Sequence, residues 1–391
     1  MAGRLGAYHE TAAGGEVVRA YVPPPLPPEP ALALDGLMTR LSAADRALGR
    51  LDGISLLMPN RELFLYMYVR KEAVLSSQIE GTQSSLNDLL RYETEAAMGA
   101  PIDDIREVSN YVAAMMHGLE RMNTFPLSLR LIREMHAILL DSGRGSGMAP
   151  GEFRTTQNWI GGTRPGNAVY VPPPPQLVTH ALDNFEKFIH AESPDMPPLI
   201  KAGLLHVQFE TIHPFLDGNG RVGRLLITLF LCAQGVMREP LLYLSLYFKE
   251  HRAQYYQLLQ EVRERGAWEA WLEFFLDGVA ETANAAFETA STATALFADD
   301  RTRLASSGDP TVSVLRLHEA FKTSPIATAA ALARMTGLTM PTVNIAIEKM
   351  RAAGIAREIT GKRRGRVFAY EAYLSLLGSS AGGLPENSGA A

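Results

Sequence analysis

The chain has 391 residues, 47% of them hydrophobic and 20% charged, with a formal net charge of −5, a soluble globular composition with material for two or three domains and a sizeable core. Its single cysteine, Cys232, excludes an internal disulfide and fits a reducing compartment, so a cytoplasmic location is expected. No charged and apolar leader opens the chain, and the longest apolar run, around Leu225 to Cys232, is too short to cross a bilayer, so neither ordinary export nor membrane embedding is expected.

Residues 1–30 show little periodicity and end in Pro23-Pro24-Pro25-Leu26-Pro27-Pro28-Glu29-Pro30. Proline fixes φ and donates no hydrogen bond, which predicts an extended run, a strap lying on the protein's own surface rather than a polyproline docking site for a partner. A helical pattern follows over residues 31–50, and Pro59-Asn60 marks a fresh start. The next predicted helix, 61–80, carries Tyr68, Leu75 and Ile79 at helical spacing, with Gly81 where a helix commonly stops. Ser76 and Glu80 are four apart on it and share a face. Alone, that pair describes an ordinary solvated surface.

Further helices are predicted at 84–96, 105–122 and 127–141. Two short β-prone runs then follow, one around Trp159-Ile160 and one at Ala168-Val169-Tyr170-Val171, separated by Gly, Thr, Pro and Asn. They suggest either a hairpin flap or a plain surface loop with Trp159 packed down. Helical patterns return at 177–191 and 198–212, then after residue 221, and over 248–265 and 267–297. Strands are scarce, so the fold class is mainly α. The polar stretch Asp299 to Pro310 is a candidate linker. Beyond it, three helices at 313–322, 326–335 and from Thr339, with β-prone runs on either side of Gly361-Lys362-Arg363-Arg364-Gly365-Arg366, predict a winged helix-turn-helix. Residues 309–375 hold ten Lys/Arg against five Asp/Glu, so the basic character sits at this end. The Gly/Ser/Ala-rich tail after Ser379 predicts disorder.

Between two apolar helical stretches lies His213-Pro214-Phe215-Leu216-Asp217-Gly218-Asn219-Gly220-Arg221-Val222-Gly223-Arg224. Gly218-x-Gly220-x-x-Gly223 matches the dinucleotide-binding fingerprint, but that fingerprint needs a preceding strand and a βαβ unit, and here the preceding residues are helical. A glycine turn opening a helix instead offers unpaired N–H groups to a phosphate. A histidine beside it can take a proton near neutral pH, and Asp217 is a hard ligand suited to Mg²⁺ on phosphate oxygens. Arg221 and Arg224 sit where positive charge opposes the helix dipole unless phosphates lie nearby. Each residue also has an ordinary role: a structural histidine, a helix cap, surface ion pairs.

The stretch resembles the Fic-family signature, His-x-Phe-x-(Asp/Glu)-Gly-Asn-Gly-Arg-x-x-Arg, at every fixed position. Ser76-Ser77-Gln78-Ile79-Glu80-Gly81 is similar to the family's inhibitory pattern, (Ser/Thr)-x-x-x-Glu-(Gly/Asn), and its upstream place resembles the class with an N-terminal inhibitory helix. The resemblance extends over most of residues 15–375. It implies an extended segment at 1–30, a helical region with the inhibitory helix at 31–125, and a catalytic core with a small hairpin flap at 126–298. A linker at 299–310, a winged helix at 311–375 and a disordered tail at 376–391 complete the expected order.

The activity it implies is transfer of AMP from ATP to a Ser, Thr or Tyr hydroxyl of a target protein, or of the chain itself. His213 would be the general base, Asp217 would hold Mg²⁺, and Gly218, Asn219 and Gly220 would form the anion-binding turn. Phe215 would anchor the loop, Arg221 would reach the phosphates and Arg224 would grip the γ-phosphate. Ser76, Glu80 and Gly81 would form the inhibitory motif, with Glu80 pairing to Arg224 in the γ-phosphate's place. The target would dock on the flap around Asn158 to Gly162. His251 stands where relatives commonly carry an asparagine near the adenine, which leaves the base contacts open. The resemblance also admits removal of AMP, transfer of another phosphate-containing group, and a homodimer. A separate reading makes the C-terminal unit a DNA-binding regulator through Lys362, Arg363, Arg364 and Arg366, against a solvated turn on a protein-interaction module.

Overall fold

The computed structural model describes residues 4–57, 61–93, 102–192, 195–306, 312–361 and 365–379. Pro59-Asn60, the basic residues Lys362 to Arg364, and the tail from 380 lie outside the described residues.

The predicted mainly α class holds. The helices before the signature are α1 (Met38–Leu57), α2 (Arg61–Ile79), α3 (Leu86–Glu93), α4 (Ile102–Met122) and α5 (Leu129–Leu139). Then come α6 (Pro175–His190), α7 (Pro198–Ile212), α8 (Asn219–Ala233), α9 (Ser245–Glu250), α10 (Arg252–Arg265) and α11 (Trp268–Ser306). α7 is the central rod: almost every residue from Leu199 to Ile212 is buried. α8 packs against it and buries nearly as much. α11, about 58 Å long at 1.5 Å per residue, carries Trp271 into the core, where its Nε1–H donates to Gly203 O at 2.9 Å. Farther along, the buried Ala283, Ala286, Ala290 and Ala293 present a smooth stripe at helical spacing. α1 brings its own buried Ala44 and Ala47, and small residues let these two helices approach closely.

Three expectations need correction. Residues 7–22 are not an extended strap. They form a hairpin of β1 (Ala7–Ala13) and β2 (Glu16–Val22), paired from Ala7↔Val22 to Ala13↔Glu16. β1, read Ala-Tyr-His-Glu-Thr-Ala-Ala, has too little alternation to announce a strand, and its pairing comes from β2, which is itself held by Tyr21 N–H donating to Val171 O at 2.9 Å. The prolines after it do lie on the body: Pro24 O accepts from Gln208 Nε2 at 2.8 Å, and Pro30 O accepts from Arg4 Nε at 2.8 Å. The predicted linker is also helical from 299 to 306, because α11 runs on to Ser306, and its last four residues lie outside the described residues. Its polar residue Asp300 is buried, accepts from Tyr370 Oη and pairs with Arg303, so polarity there marks an internal contact. Last, residues 376–379 belong to a helix, α15 (Glu371–Ser379), which anchors Tyr373 beside Phe297 at 4.9 Å.

The predicted 248–265 helix is two helices, broken at His251. The C-terminal unit comprises α12 (Val312–Thr323), α13 (Ala329–Thr336) and α14 (Met340–Ala352) with an antiparallel sheet in the order β3-β5-β4. β3 (Ile326–Thr328) pairs as Ile326↔Ala369 with β5 (Val367–Ala369), and β4 (Arg357–Glu358) pairs as Arg357↔Ala369. Three helices closed by such a sheet are the elements predicted for this segment, with β3 added from the start of the predicted second helix.

Candidate active site

α7 delivers the signature loop to the foot of α8. His213 caps α7 with left-handed backbone, φ 49° and ψ 60°, unusual for a residue with a Cβ and costing on the order of 1–3 kcal/mol. Phe215 compensates by burying its whole side chain. Its ring lies parallel to His136 from α5, centroids 3.7 Å apart, and 5.2 Å from Phe153. Its backbone is tied as well: Phe215 N–H donates to Asn219 Oδ1, and Phe215 O accepts from Asn219 Nδ2, both at 2.8 Å. The Asn219 side chain is therefore the lock of the loop, and only its backbone faces the turn. His136 accepts from Gly151 N–H through Nδ1 at 2.8 Å, so its Nε2 carries the proton donated to Asp217 O at 3.0 Å. Burial pushes its pKa down to about 4, which keeps it neutral.

Phe215→Ala should cost about 3–5 kcal/mol of unfolding free energy, as for other buried phenylalanines. Urea unfolding measures it, and a loss below about 1 kcal/mol would mean the loop is not anchored by this ring.

α8 begins after Gly218, whose φ of 76° turns the chain into a helix whose first N–H groups have no intrahelical acceptor. Asp217 stands beside them, its carboxylate about one-third exposed and accepting Gly218 N–H on Oδ1 at 2.6 Å. Arg221 does not reach outward. It is buried, with Nη1 at 3.2 Å from Glu107 of α4 and Nη2 at 3.7 Å from Asp217. Glu107 also holds Arg144 at 3.3 Å. Sequence reasoning missed Glu107 because it lies in another helix, 114 residues from Arg221, with no local signal.

The expected partner of Arg224 is in place. Its guanidinium donates from Nε to Ser76 Oγ at 2.8 Å, and from Nη2 to Ser76 O at 3.0 Å and to Glu80 Oε1 at 2.7 Å. Ser76 lies in the last turn of α2 and Glu80 directly follows it, before Gly81 with φ 101°. A Cβ at Gly220 would run into Glu80 Oε1, so the carboxylate lies across the start of α8, where an anion would sit. Burial pushes the Glu80 pKa up, but the charge and hydrogen bond of Arg224, with Arg221 and His213 behind them, hold it below the ordinary value. Glu80 and Arg224 are thus a charged pair.

His213 is pushed down to about 3 by burial first, then by the Arg154 and Arg263 charges, so it is a neutral imidazole at physiological pH. His251 sits at the α9–α10 junction, 4.3 Å from the Tyr247 ring and edge-on to Phe274 at 6.3 Å. Its neighbour Arg252 donates to Ile79 O at 3.2 Å, which links that junction to the end of α2. Two further acids carry no local signal in the sequence. Glu72 is buried, accepts from Ser245 N–H at 3.1 Å and Tyr111 Oη at 3.2 Å, and is pushed up to about 7 by burial. Burial likewise pushes Glu210 up to about 7 behind α8. The flap is looser than a hairpin: it closes on one antiparallel bridge, Ile160↔Tyr170.

The arrangement joins a neutral imidazole, the N–H groups that open a helix and a guanidinium around one loop, which suits proton removal next to an anion. Among the described residues no group of three His, Cys, Asp or Glu side chains could hold a metal ion. Asp217 offers a partly exposed carboxylate beside the turn, the setting in which Mg²⁺ binds through one carboxylate together with phosphates and water.

Residues 38–120 match the family described as Fic/DOC family N-terminal, and residues 126–231 match the Fic/DOC family. The chain is 34% identical over 192 residues to a protein adenylyltransferase Fic of Culex quinquefasciatus, covering 48% of this chain and 35% of that protein. It is 32% identical over 193 residues to the protein of that name from Drosophila grimshawi, covering 49% and 37%. The chain thus spans little more than a third of the length of these curated relatives. In fold it is similar to a Fic family protein of Desulfovibrio desulfuricans G20, with a TM-score of 0.56 at 20% identity over 89% of this chain and 98% of that one.

Proposed function

Because the chain carries a Fic/DOC N-terminal domain followed by a Fic/DOC domain, we propose that it is a protein adenylyltransferase, moving AMP from ATP to a Ser, Thr or Tyr hydroxyl of a target protein. The observation that carries the reading is the meeting of His213, the N–H groups opening α8 and Arg224 around one loop. His213 removes the acceptor's proton as that oxygen bonds to the α-phosphorus and the bond to pyrophosphate breaks. The α8 N–H groups and Arg224 take up phosphate charge, a contribution of positioning and electrostatics. Arg221, tied to Glu107 and Asp217, fixes Asp217 in place. Residues Asn158 to Gly162 of the flap offer their edge to an extended target segment.

Asp217 fits Mg²⁺, which when bound neutralises α- and β-phosphate charge. Asp217→Asn should raise the Mg²⁺ concentration for half-maximal transfer by at least the ~10-fold that losing an outer-shell partner costs. An unchanged Mg²⁺ dependence would remove Asp217 from that role.

In the same reading Glu80 inhibits, because its carboxylate holds the arginine that the γ-phosphate needs and adds negative charge at the start of α8. The reading is tested by incubating the chain, wild type and Glu80→Gly, with a cell lysate and ATP labelled at either the α- or the γ-phosphate. Label in excess of that in lysate without the chain, whose own kinases transfer γ-phosphate, should enter protein from the α-position only. Chain-dependent label entering from the γ-position would indicate phosphate transfer and overturn the assignment.

A further inference from the structure

α7 ends where several carbonyls converge. The last carbonyls of a helix carry its negative dipole end and lack intrahelical donors. Those around His213 turn toward one residue, Arg154. Its Nε donates to His213 O at 2.9 Å, its Nη2 to Ile212 O at 3.4 Å, and its backbone N–H to Pro214 O at 2.9 Å. The same guanidinium holds both limbs of the flap, through Pro173 O at 2.6 Å and Thr156 O at 3.3 Å. Arg154 is buried, and among the described residues no carboxylate pairs with it. Burying a guanidinium on carbonyls alone is a costly way to cap a helix, and burial draws its pKa down to about 10. A serine or asparagine would satisfy one or two of these oxygens. Only a planar fork of donors reaches the loop and both flap limbs together.

We propose that Arg154 is the positioning residue for His213: it locks the backbone on either side of the imidazole and ties the flap to the same point, so that the base and a segment docked on the flap share one frame. The inference rests on the reading of His213 as the base. It also explains how His213 keeps its left-handed backbone, since the strained peptide is bonded from both sides. Facing the imidazole are Arg154 from the flap, Arg263 from α10 and Glu80 from the end of α2. The two arginines favour the neutral ring, and Glu80 and the Glu210 carbonyl oppose them. Arg263 is itself held over the Tyr170 ring at 3.9 Å.

The test compares Arg154→Gln and Arg154→Lys, in the full chain carrying Glu80→Gly for kinetics and in the wild-type chain for titration. Arg154→Gln should lower kcat by about 10²-fold, the effect of misplacing a reacting group by about 1 Å, with KM for ATP changed less than threefold. It should also raise the midpoint at which His213 protonates, read by NMR of labelled imidazoles with the resonance assigned by its loss in His213→Gln. Arg154→Lys keeps the charge but not the fork, so it should leave that midpoint in place while losing most of the rate. Unchanged kcat in both variants, or an unmoved His213 midpoint in Arg154→Gln, overturns the proposal. So does loss of the folded circular dichroism spectrum in both, which would assign Arg154 to stability alone. If no form transfers AMP, the functional reading fails, and the titration still decides Arg154.

Discussion

His213→Ala should lower AMP transfer by at least the ~10²–10⁴-fold that a positioned general base contributes. The imidazole is held at the end of α7 beside the glycine turn that opens α8, and it is neutral because burial and two arginines push its pKa down to about 3. Neutral imidazole is the form that can accept a proton, so the acid side of the pH profile set by His213 lies far below neutrality. Loss of this group leaves the α8 N–H groups and Arg224 intact, so nucleotide affinity should fall less than the rate does. Quantified transfer of α-labelled AMP, together with binding of a non-hydrolysable ATP analogue, separates the two. A His213→Ala chain as active as the wild type would mean that proton removal occurs elsewhere.

The second large effect has the opposite sign. Glu80→Gly should raise AMP transfer by about 10–10²-fold, corresponding to about 1.4–2.7 kcal/mol. That is well within the roughly 4 kcal/mol available to a close charge pair at an effective dielectric of 20, before desolvation is subtracted. The structural basis is the 2.7 Å contact between Glu80 Oε1 and Arg224 Nη2, with the carboxylate across the start of α8. Substitution frees Arg224 for phosphate while Ser76 still holds its Nε. Because the folded-state pKa of Glu80 is lowered, the pair's stabilisation is fully present above the ordinary carboxylate value and is lost as pH falls through the lowered one. Inhibition should therefore be unaffected by pH across the neutral range. Equal initial rates for wild type and Glu80→Gly, with both chains folded, would show that the ion pair does not restrain catalysis.

Much of this is legible in the sequence because the signals are local. The apolar spacing of residues 198–212 and of the residues after Arg221 defines two buried helices, and α7 and α8 occupy those places. Ser76 and Glu80 share a face because they are four residues apart, and both meet Arg224. The expectations that fail are those in which tertiary contacts override composition. The weakly patterned β1 is a strand because β2 pairs along its whole length and is itself held to Val171 O through Tyr21 N–H, and Asp300 sits in a helix because Tyr370 and Arg303 satisfy its carboxylate.

By itself the sequence determined the mainly α class and the signature with its histidine, turn and arginines, since helical periodicity and a twelve-residue motif are properties of neighbouring residues. Tertiary structure alone decided what each group in that motif faces. Arg221 is turned inward by Glu107, Asn219 is closed on the Phe215 backbone, Phe215 is stacked on His136, and His213 is clamped by Arg154. Apart from the Asn219 lock, those partners come from α4, α5 and the flap. Contacts of that separation are set by which buried faces pack together, and packing leaves no periodic trace in the chain.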